Sequence, residues 1–467
     1  MTDTSTATRV THRPDRAPAW QPALAFLLLT TLYAAVSIQQ YNRMDSFIFD
    51  LGFFESILRD YAHGHWPELP LTDTTVATLH FSPALAVLAP FVAIWPSPIT
   101  VLVAQAVLVA AGVIPLMRAA ARGWMAWAVA ISYGLAPGFA ALFGFDFHEV
   151  ALGVPLLAMS MAAMVRGQHR TAVLWALPLV LVKEDLAMTV AAIGFVVFLR
   201  GSRRLGVATM AFGVVASVVL IVWLPHVMAG NGTFADSYAP DSLGDAWRIL
   251  QEGAGHKVRT VLYLLLPTGL LALRSPMLLL VTLPTFAWRF LSERATYWDP
   301  WYQYDAILVP IVVAAMIEGA MRFHGWARKA GLGAAVVATL VLVPTQPFSQ
   351  VWQPDFWRTP ARTALVDDVL DQIPTGSRVA ASDDLGSRIA LRVDLYLVGD
   401  TYGYDGPPIP ASEFDEVEWI AFDSRIAPAP VPAWRGFAQL INSGQFEVVA
   451  EADGVYVARR VTPEPTE

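Results

Sequence analysis

The 467-residue chain contains no cysteine. This absence excludes disulfide bonds, thiolate metal sites and a cysteine nucleophile. Charge is also scarce, because Asp, Glu, Lys and Arg together make up 15% of the residues, and the net charge at pH 7 is −8. The sequence builds no strongly basic face, and this argues against a nucleic-acid partner.

Apolar residues make up 55% of the sequence and occur in long blocks. This share exceeds that of a soluble domain and predicts a polytopic membrane protein. An arginine-containing tail, 1–19, precedes a first apolar run from Trp20 that lacks a small-residue cleavage site, so we expect an uncleaved span and a cytoplasmic tail. The further apolar runs are 98–117, 124–142, 150–165, 171–199, 205–226, 260–273, 276–291, 304–321 and 331–345. They predict about eleven transmembrane helices within a transmembrane domain at 20–345.

The run 171–199 is about 29 residues long, more than the roughly 20 that one helix needs, and it contains Lys183, Glu184 and Asp185. Four basic clusters separate the apolar runs: Arg118 and Arg122; Arg166 and Arg170; Arg200, Arg203 and Arg204; Arg322, Arg328 and Lys329. The positive-inside rule places all four in the cytoplasm, so the spans between them come in even numbers. We therefore expect two short spans in 171–199, with the three charges at the outer surface. The same rule places 143–150 and the C-terminus outside.

The first outer loop, 41–97, predicts two helices. Five apolar residues recur at 4-3-4-3 spacing: Phe47, Leu51, Phe54, Leu58 and Tyr61. This spacing predicts an amphipathic helix that lies on the membrane surface, begins at Asp50 and ends at Gly64. The apolar segment 83–96 is bounded by prolines and too short to cross, so it predicts a re-entrant or interfacial helix. An alternative makes Asp50 only an N-cap and Asp45 a solvated loop residue.

The C-terminal segment, 346–467, predicts a small extracytoplasmic α/β domain. It shows a helix, a Pro-Thr-Gly turn, a strand at 378–381 and a second helix, followed by strand-like runs that include an Asp453-Gly454 hairpin signal. It has no glycine-rich phosphate loop, zinc spacing or nucleophile elbow. We therefore expect a structural cap or a module that binds an envelope protein partner.

Several spaced motifs carry a family resemblance. They are "FDLGFFESILRDYAHG", "HFSPALAVLAPF", "FDFHEVALGVPLLA", "LVKEDLAM", "YDAILVPIVVAAMIEG" and "IPTGSRVAASDDLGSRIALR", in this order. Over about 45–400 the chain resembles an uncharacterised bacterial integral-membrane family grouped with the GT-C glycosyltransferases. That superfamily includes oligosaccharyltransferase catalytic subunits, protein mannosyltransferases and aminoarabinose transferases. The fold class expected is an all-α polytopic membrane protein, GT-C-like, plus the small soluble α/β domain.

The resemblance implies a membrane glycosyltransferase that uses a polyprenyl-phosphate-linked sugar on the outer face of the bacterial cytoplasmic membrane. The product would be a cell-envelope glycan, lipid or glycoprotein. No WWD-type motif occurs in the C-terminal segment, which argues against glycosylation of peptide asparagine. Two other function classes stay open: a proton- or ion-coupled transporter with charges in broken helices, and a non-catalytic envelope protein. The two halves of the sequence show no internal repeat, and this argues against the transporter.

The resemblance places the catalytic acid/base, or a residue that orients the acceptor, at Asp50. It places a second acidic site at Asp146 or Glu149, with His148 between them. A departing phosphate needs a cation, for which Lys183 and Arg289 are the candidates and Arg294 a weaker third. Supporting residues are expected to be Asp45, His80, Asp146, Glu184 and Asp185. Carboxylates with an imidazole suit Mg²⁺ or Mn²⁺, so Asp146 and Glu149, with His148 and Glu184, are the metal candidates.

Aromatic side chains near Arg289 are candidates for stacking on a sugar ring: Tyr297, Trp298 and Trp301. The alternative is an interfacial aromatic belt, and Arg289 would then extend its side chain to the membrane interface. His148 and Glu149 could equally cap a helix. Lys183 could pair with Glu184 or Asp185 and be purely structural.

Overall fold

The computed structural model describes residues 18–69, 74–75, 81–120, 123–229, 240, 242–397, 416–425, 437–438 and 440–461. Within these residues the N-terminal three quarters of the chain is helical, and its helices pack around one large apolar core. The helices of this part are Trp20–Asn42, Phe53–Ala62, Ala89–Ile94, Pro98–Ala111, Val113–Ala119, Trp124–Gly134, Pro137–Gly144, Val150–Val165, His169–Ala176, Leu186–Leu199, Arg203–Ser217, Leu224–Ala229, Leu243–Gln251, Ala254–Leu265, Pro276–Leu279, Leu283–Phe290, Ala295–Trp298, Val309–Met321 and Gly325–Leu342. The predicted tail, 1–19, lies almost entirely outside the described residues.

Six helical segments among the described residues are long and apolar enough to cross a membrane. They are Trp20–Asn42, Pro98–Ala119, Trp124–Gly144, Arg203–Val227, Ala295–Met321 and Gly325–Thr345. Four shorter apolar segments accompany them: Val150–Val165, His169–Leu181, Leu186–Leu199 and Pro276–Phe290. The chain is therefore a multi-pass helical membrane protein, and the count of about eleven spans stays a prediction.

The run 171–199 is divided as predicted. One segment, His169–Leu181, ends in a 3-10 turn, and the next helix begins at Leu186. Lys183, Glu184 and Asp185 occupy the break between the two segments. Because a break leaves these charges at helix ends, none of them has to be buried in the middle of a span.

Basic residues gather at the opposite ends of these helices. Arg200, directly after Leu186–Leu199, donates a hydrogen bond to the carbonyl oxygen of Met164 (3.0 Å). It also pairs with Glu318 at 2.6 Å, and Glu318 pairs with Arg322 at 3.1 Å. Three of the predicted basic clusters therefore lie at one end of the helical bundle, away from the break that carries Lys183.

The first loop forms a π-helical turn, Ile48–Gly52, followed by the helix Phe53–Ala62. Gly64 ends the helix with a positive φ of 77°, as predicted. The apolar stripe of this helix faces protein and not lipid, because Leu51, Phe54 and Leu58 are buried in the core. The position of the helix at the membrane surface stays a prediction. Burying each of these side chains contributes roughly 1.5–3 kcal/mol.

The segment 83–96 forms the 3-10 turn Pro83–Val87 and the helix Ala89–Ile94. Phe91, Ile94 and Trp95 are more than half exposed, with Ile94 at 80%. An apolar face of this kind is stable only against lipid or another apolar surface, which agrees with the interfacial helix expected from the sequence.

The C-terminal part is a small α/β domain. The helices Ala361–Leu370 and Asp383–Ile389 accompany five strands: β3 (Arg378–Ala381), β4 (Asp394–Leu397), β5 (Trp419–Asp423), β6 (Phe446–Ala452) and β7 (Val455–Arg460). Two short strands in the first loop, β1 (Glu68–Leu69) and β2 (Thr74–Thr75), form a separate pair. The five-stranded sheet has the order β4-β3-β5-β7-β6, with β4, β3 and β5 parallel and the other pairs antiparallel. Positive φ at Asp453 and Gly454 confirms the predicted hairpin between β6 and β7.

Candidate functional site

Asp50 lies inside the π-helical turn Ile48–Gly52, hereafter the Asp50 turn. The residue that precedes this turn is Phe47, and neither the turn nor the following helix has a side-chain cap. The alternative role of Asp50 as an N-cap was therefore wrong. Its side chain is 18% exposed and points to His148, whose Nε2 lies 3.2 Å from the Asp50 Oδ1. Asp45 is 60% exposed and lies 3.6 Å from Arg43, as expected of a solvated loop residue.

His148 is held by contacts on either side of it. Its backbone amide donates to the Gln105 Oε1 (2.9 Å), while the Gln105 Nε2 donates to the Asp146 carbonyl oxygen. Asp146 has a positive φ of 57°, the left-handed conformation that aspartate tolerates better than most residues. The ring of Phe54 contacts the imidazole edge to face, with 5.8 Å between centroids. These contacts fix the imidazole that faces Asp50.

Glu149, the next residue, pairs with Lys183. The Lys183 Nζ lies 2.7 Å from the Glu149 Oε1, and the glutamate side chain is 1% exposed. One alternative from the sequence paired Lys183 with Glu184 or Asp185. The structure adds Glu149 as a partner of Lys183, and the two carboxylates of the break also contact other groups. Glu184 accepts from the amide of Phe81 (3.2 Å), and Asp185 accepts from the Trp288 indole (3.0 Å).

The first loop, the segment 143–150 and the break at 183–185 therefore meet at one place. Asp50 contacts His148, and Lys183 contacts Glu149. Because His148 and Glu149 are consecutive, they bring the Asp50 carboxylate and the Lys183 ammonium group to the same part of the structure. Lys183 keeps 13% of its side chain exposed and Asp50 18%. A ligand at the surface could reach both groups.

The Asp146 carboxylate binds the two residues that precede the Asp50 turn. Its Oδ1 accepts from the Ser46 hydroxyl (2.7 Å) and its Oδ2 from the Phe47 amide (3.1 Å). Burial, together with the negative charge of Asp50, raises the pKa of Asp146 to about 8, even though the hydrogen bonds from Ser46 and Phe47 oppose the shift. Burial also raises the pKa of Asp185 to about 6, against the lowering effect of Lys183.

These shifts predict how stability depends on pH. The pKa of Asp146 is about 8 in the fold, against 3.8 for a free side chain, so the fold favours its protonated form. Its stabilising contribution is then complete below pH 3.8 and is lost as the pH rises towards 8, by at most about 1.4 kcal/mol per pH unit. We expect Asp146→Asn to lose less thermal stability than the wild type between pH 5.5 and pH 8.

The measurement is thermal unfolding of the purified protein in detergent at the two pH values. Asp368→Asn, a change at an exposed carboxylate of the C-terminal domain, is the control and should keep the wild-type difference. Equal differences in wild type and Asp146→Asn would contradict the assignment.

Arg289 is fully buried beside the site. Its NH1 lies 2.5 Å from the Asp305 Oδ1, and its Nε donates to the Tyr297 carbonyl oxygen (2.8 Å). It therefore does not extend to the interface, which was one alternative. Its NH2 nitrogen has no hydrogen-bond partner among the described residues. Arg294 lies further out, 3.3 Å from the Tyr297 hydroxyl.

The stacking role predicted for Tyr297 and Trp298 was wrong, because both rings are buried in a small cluster with Ile249. Lys257 covers the Trp298 ring, with Nζ 4.3 Å from its centroid, and the Trp298 indole donates to the Ser292 carbonyl oxygen (2.7 Å). Trp301 is 39% exposed, so its stacking on a sugar stays a prediction.

The metal candidates do not converge on one point. Asp146 binds Ser46 and Phe47, His148 faces Asp50, and Glu149 faces Lys183. Within the described ranges, no group of three or more His, Asp or Glu side chains could hold a metal ion. Mg²⁺ is commonly held by one or two carboxylates together with substrate phosphates, so the requirement for Mg²⁺ or Mn²⁺ stays a prediction. His80, another supporting candidate, lies outside the described residues.

Gln105 is a site residue that the sequence reasoning missed. It lies in the helix Pro98–Ala111, is fully buried, and binds the segment that carries His148. The signal was present, since a glutamine within an apolar run carries amide groups that need partners when buried.

Comparison with solved structures places this architecture among known folds. ArnT from Cupriavidus metallidurans bound to undecaprenyl phosphate superposes with a TM-score of 0.56 at 15% identity, covering 96% of this chain and 99% of that chain. ArnT from the same organism in the apo state gives 0.53 at 16% identity, covering 94% and 98%. No match is found among curated proteins.

The fold shared with ArnT and the long apolar helical segments define a multi-pass integral membrane protein with an ArnT-like fold. Over residues 40–457 the sequence matches the family described as "Predicted membrane protein (DUF2079)". The chain belongs to this family.

Proposed function

We propose that the protein is a membrane glycosyltransferase that takes a sugar from a polyprenyl-phosphate-linked donor. The observation that carries this proposal is the pairing of Asp50 with His148 and of Lys183 with the adjacent Glu149. It places a partly exposed carboxylate and a partly exposed cation at one surface. Transfer from a sugar phosphate needs both kinds of group.

The chemistry assigns one role to each side chain. Asp50 takes the proton from an acceptor hydroxyl as that oxygen attacks the anomeric carbon, while the bond from this carbon to the phosphate oxygen breaks. The electron pair of that bond leaves with the lipid phosphate, and Lys183 compensates the charge. His148 orients the Asp50 carboxylate from 3.2 Å, and Glu149 holds Lys183 from 2.7 Å. Both are positioning residues in this scheme.

A lipid-linked donor is favoured over a soluble one for two reasons. The ArnT structure that shares this fold over 96% of the chain is described as bound to undecaprenyl phosphate. In addition, Glu184 of the break accepts a hydrogen bond from Phe81, and the 83–96 segment that follows exposes apolar side chains. The site therefore adjoins a surface suited to a lipid chain.

We place the site on the extracytoplasmic face of a bacterial cytoplasmic membrane. Arg200 and Arg322, from two basic clusters, meet at Glu318, and Arg200 also contacts Met164 beside a third cluster. By the positive-inside rule this end faces the cytoplasm. The Asp50 and Lys183 end, together with the α/β domain, then faces outward, where the acceptor would be a cell-envelope glycan, lipid or protein.

Native membrane vesicles of both orientations test donor class and side together. A radiolabelled, short-chain polyprenyl-phosphate sugar is added to sealed right-side-out and inside-out vesicles from cells that contain or lack this chain. We expect transfer to endogenous acceptors that depends on the chain and occurs only in right-side-out vesicles. Transfer in inside-out vesicles alone would overturn the orientation, and no chain-dependent transfer in either would overturn the function.

A further inference from the structure

The α/β domain shares its hydrophobic core with the turn that carries Asp50. Ile48, two residues before Asp50, is fully buried in the same cluster as Val366, Leu385 and Leu395 of that domain. The other apolar residues near Asp50, such as Leu51 and Phe54, belong to the membrane-domain core instead. The Asp50 turn is therefore the place where the two cores are joined.

The helix Asp383–Ile389 of the domain lies directly against the turn. Ser387 donates from its hydroxyl to the Ser46 carbonyl oxygen (3.2 Å). Gly386 has no side chain where Ile48 packs, and a Cβ there would clash with the isoleucine Cγ1. A Cβ on Gly52, at the other end of the turn, would lie 3.3 Å from the Ser387 amide nitrogen. Two glycines thus permit close contact between helix and turn.

Asp383 accepts hydrogen bonds from the first backbone amides of the turn. Its Oδ1 accepts from the Ile48 amide at 2.9 Å, and the Phe49 amide also donates to its carboxylate. These N–H groups lack partners within their own turn, since the first amides of a helix have no preceding carbonyl to bind. The carboxylate therefore fixes the two residues immediately before Asp50, while Asp146 fixes Ser46 and Phe47.

We infer that Asp383 is a positioning residue for Asp50, and that the α/β domain acts as a scaffold of the reaction site rather than as a separate cap. This inference rests on the role proposed for Asp50. In the free membrane domain, Ile48 would lose its apolar surroundings, and the Ile48 and Phe49 amides would lose their acceptor. A change in the docking of the domain would consequently change the orientation of the Asp50 carboxylate without touching the donor site.

The test uses the full-length chain and two independent readouts. Asp383→Ala removes the acceptor, Asp383→Asn keeps an oxygen without the charge, and Asp368→Ala changes an exposed carboxylate of the same domain as the matched control. Hydrogen–deuterium exchange of the peptide that covers 46–52 reports the turn whether or not the chain is active. Turnover and KM with a polyprenyl-phosphate sugar in membranes report the site.

We expect Asp383→Ala to speed exchange in 46–52 at least tenfold, leaving the helix Pro98–Ala111 unchanged, and to lower turnover at least tenfold with KM within about twofold. Asp383→Asn should show smaller changes of the same kind, and Asp368→Ala none. In an Asp50→Asn background, Asp383→Ala should lower turnover no further, because both act through one carboxylate.

Unchanged exchange in 46–52 would overturn the inference. Faster exchange throughout the chain would also do so, because it would assign Asp383 to general stability. If Asp383→Ala does not fold, the same criteria apply to Asp383→Asn. If the wild type shows no transfer at all, the proposed function fails, and the exchange result still decides whether Asp383 positions the turn.

Discussion

Asp50→Asn is expected to lower sugar transfer by about 10²- to 10⁴-fold, the usual contribution of a positioned general base. Asparagine has nearly the same shape as aspartate and can still accept a hydrogen bond from the His148 Nε2, which lies 3.2 Å from Asp50 in the wild type. It cannot accept a proton from the acceptor hydroxyl. The donor should therefore bind normally while transfer fails, as measured by radiolabel in membranes from cells that carry only the variant.

Asp45→Asn is the matched control for this prediction. Asp45 lies five residues earlier in the same loop, is 60% exposed, and lies 3.6 Å from Arg43. Transfer by this variant should remain within about twofold of wild type. Equal losses in the two variants would show that the loop tolerates no change of charge, and the assignment of Asp50 as base would not stand.

Lys183→Met is expected to weaken donor binding by about 10- to 100-fold. A hydrogen bond to a charged group is worth about 1.5–3 kcal/mol, and each 1.4 kcal/mol is a factor of ten in affinity. The variant also leaves Glu149, 1% exposed, without the cation that lies 2.7 Å away, so the fold should lose stability as well. Equilibrium binding of the polyprenyl-phosphate sugar measures the first effect and thermal unfolding the second.

The double variant Lys183→Met with Glu149→Gln separates these effects. It removes the stranded buried charge, so thermal stability should recover, while donor affinity should stay low because the cation is still missing. Lys329→Met, at an exposed lysine in the helix Gly325–Leu342, is the control for loss of a positive charge. If affinity recovered together with stability in the double variant, Lys183 would be a structural residue and not a phosphate ligand.

The sequence predicted the features that depend on local pattern. Three charges in the long apolar run indicated the break at 183–185, because an unbroken span would hold them in the hydrocarbon. Alternation and an Asp-Gly pair indicated the hairpin at 453–454. The strand β4 (Asp394–Leu397) was missed, since four residues give too short a pattern to distinguish from a loop.

Features that depend on distant partners were not predictable in this way. The stripe of Leu51, Phe54 and Leu58 has the same periodicity whether lipid or protein covers it. Only the fold shows that Ile48 enters the core of a domain more than 300 residues away in sequence. The contact of Lys183 with Glu149 is a third example, because Glu149 lies 34 positions earlier, whereas the only carboxylates that the sequence suggested as partners were the immediate neighbours of Lys183.

Burial of a charged pair explains why Arg289 and the aromatic residues near it differ from their predicted roles. Arg289 was expected at a phosphate because arginine binds phosphate well, yet it pairs with Asp305 and is fully buried. The Tyr297 carbonyl oxygen accepts a hydrogen bond from Arg289, and the rings of Tyr297 and Trp298 are buried in a cluster of their own. Residue type alone indicated a polar role for Arg289. Only the fold distinguishes whether Arg289 supports the site from within the protein or contacts the donor.

The central claim is that Asp50 acts in chemistry while Lys183 acts in donor binding. The most direct measurement compares donor affinity and single-turnover transfer, with one polyprenyl-phosphate sugar, for wild type, Asp50→Asn and Lys183→Met. The account predicts wild-type affinity with at least 100-fold slower transfer for Asp50→Asn, and at least tenfold weaker affinity for Lys183→Met. Wild-type transfer rates in Asp50→Asn, or no donor binding by the wild type, would contradict it.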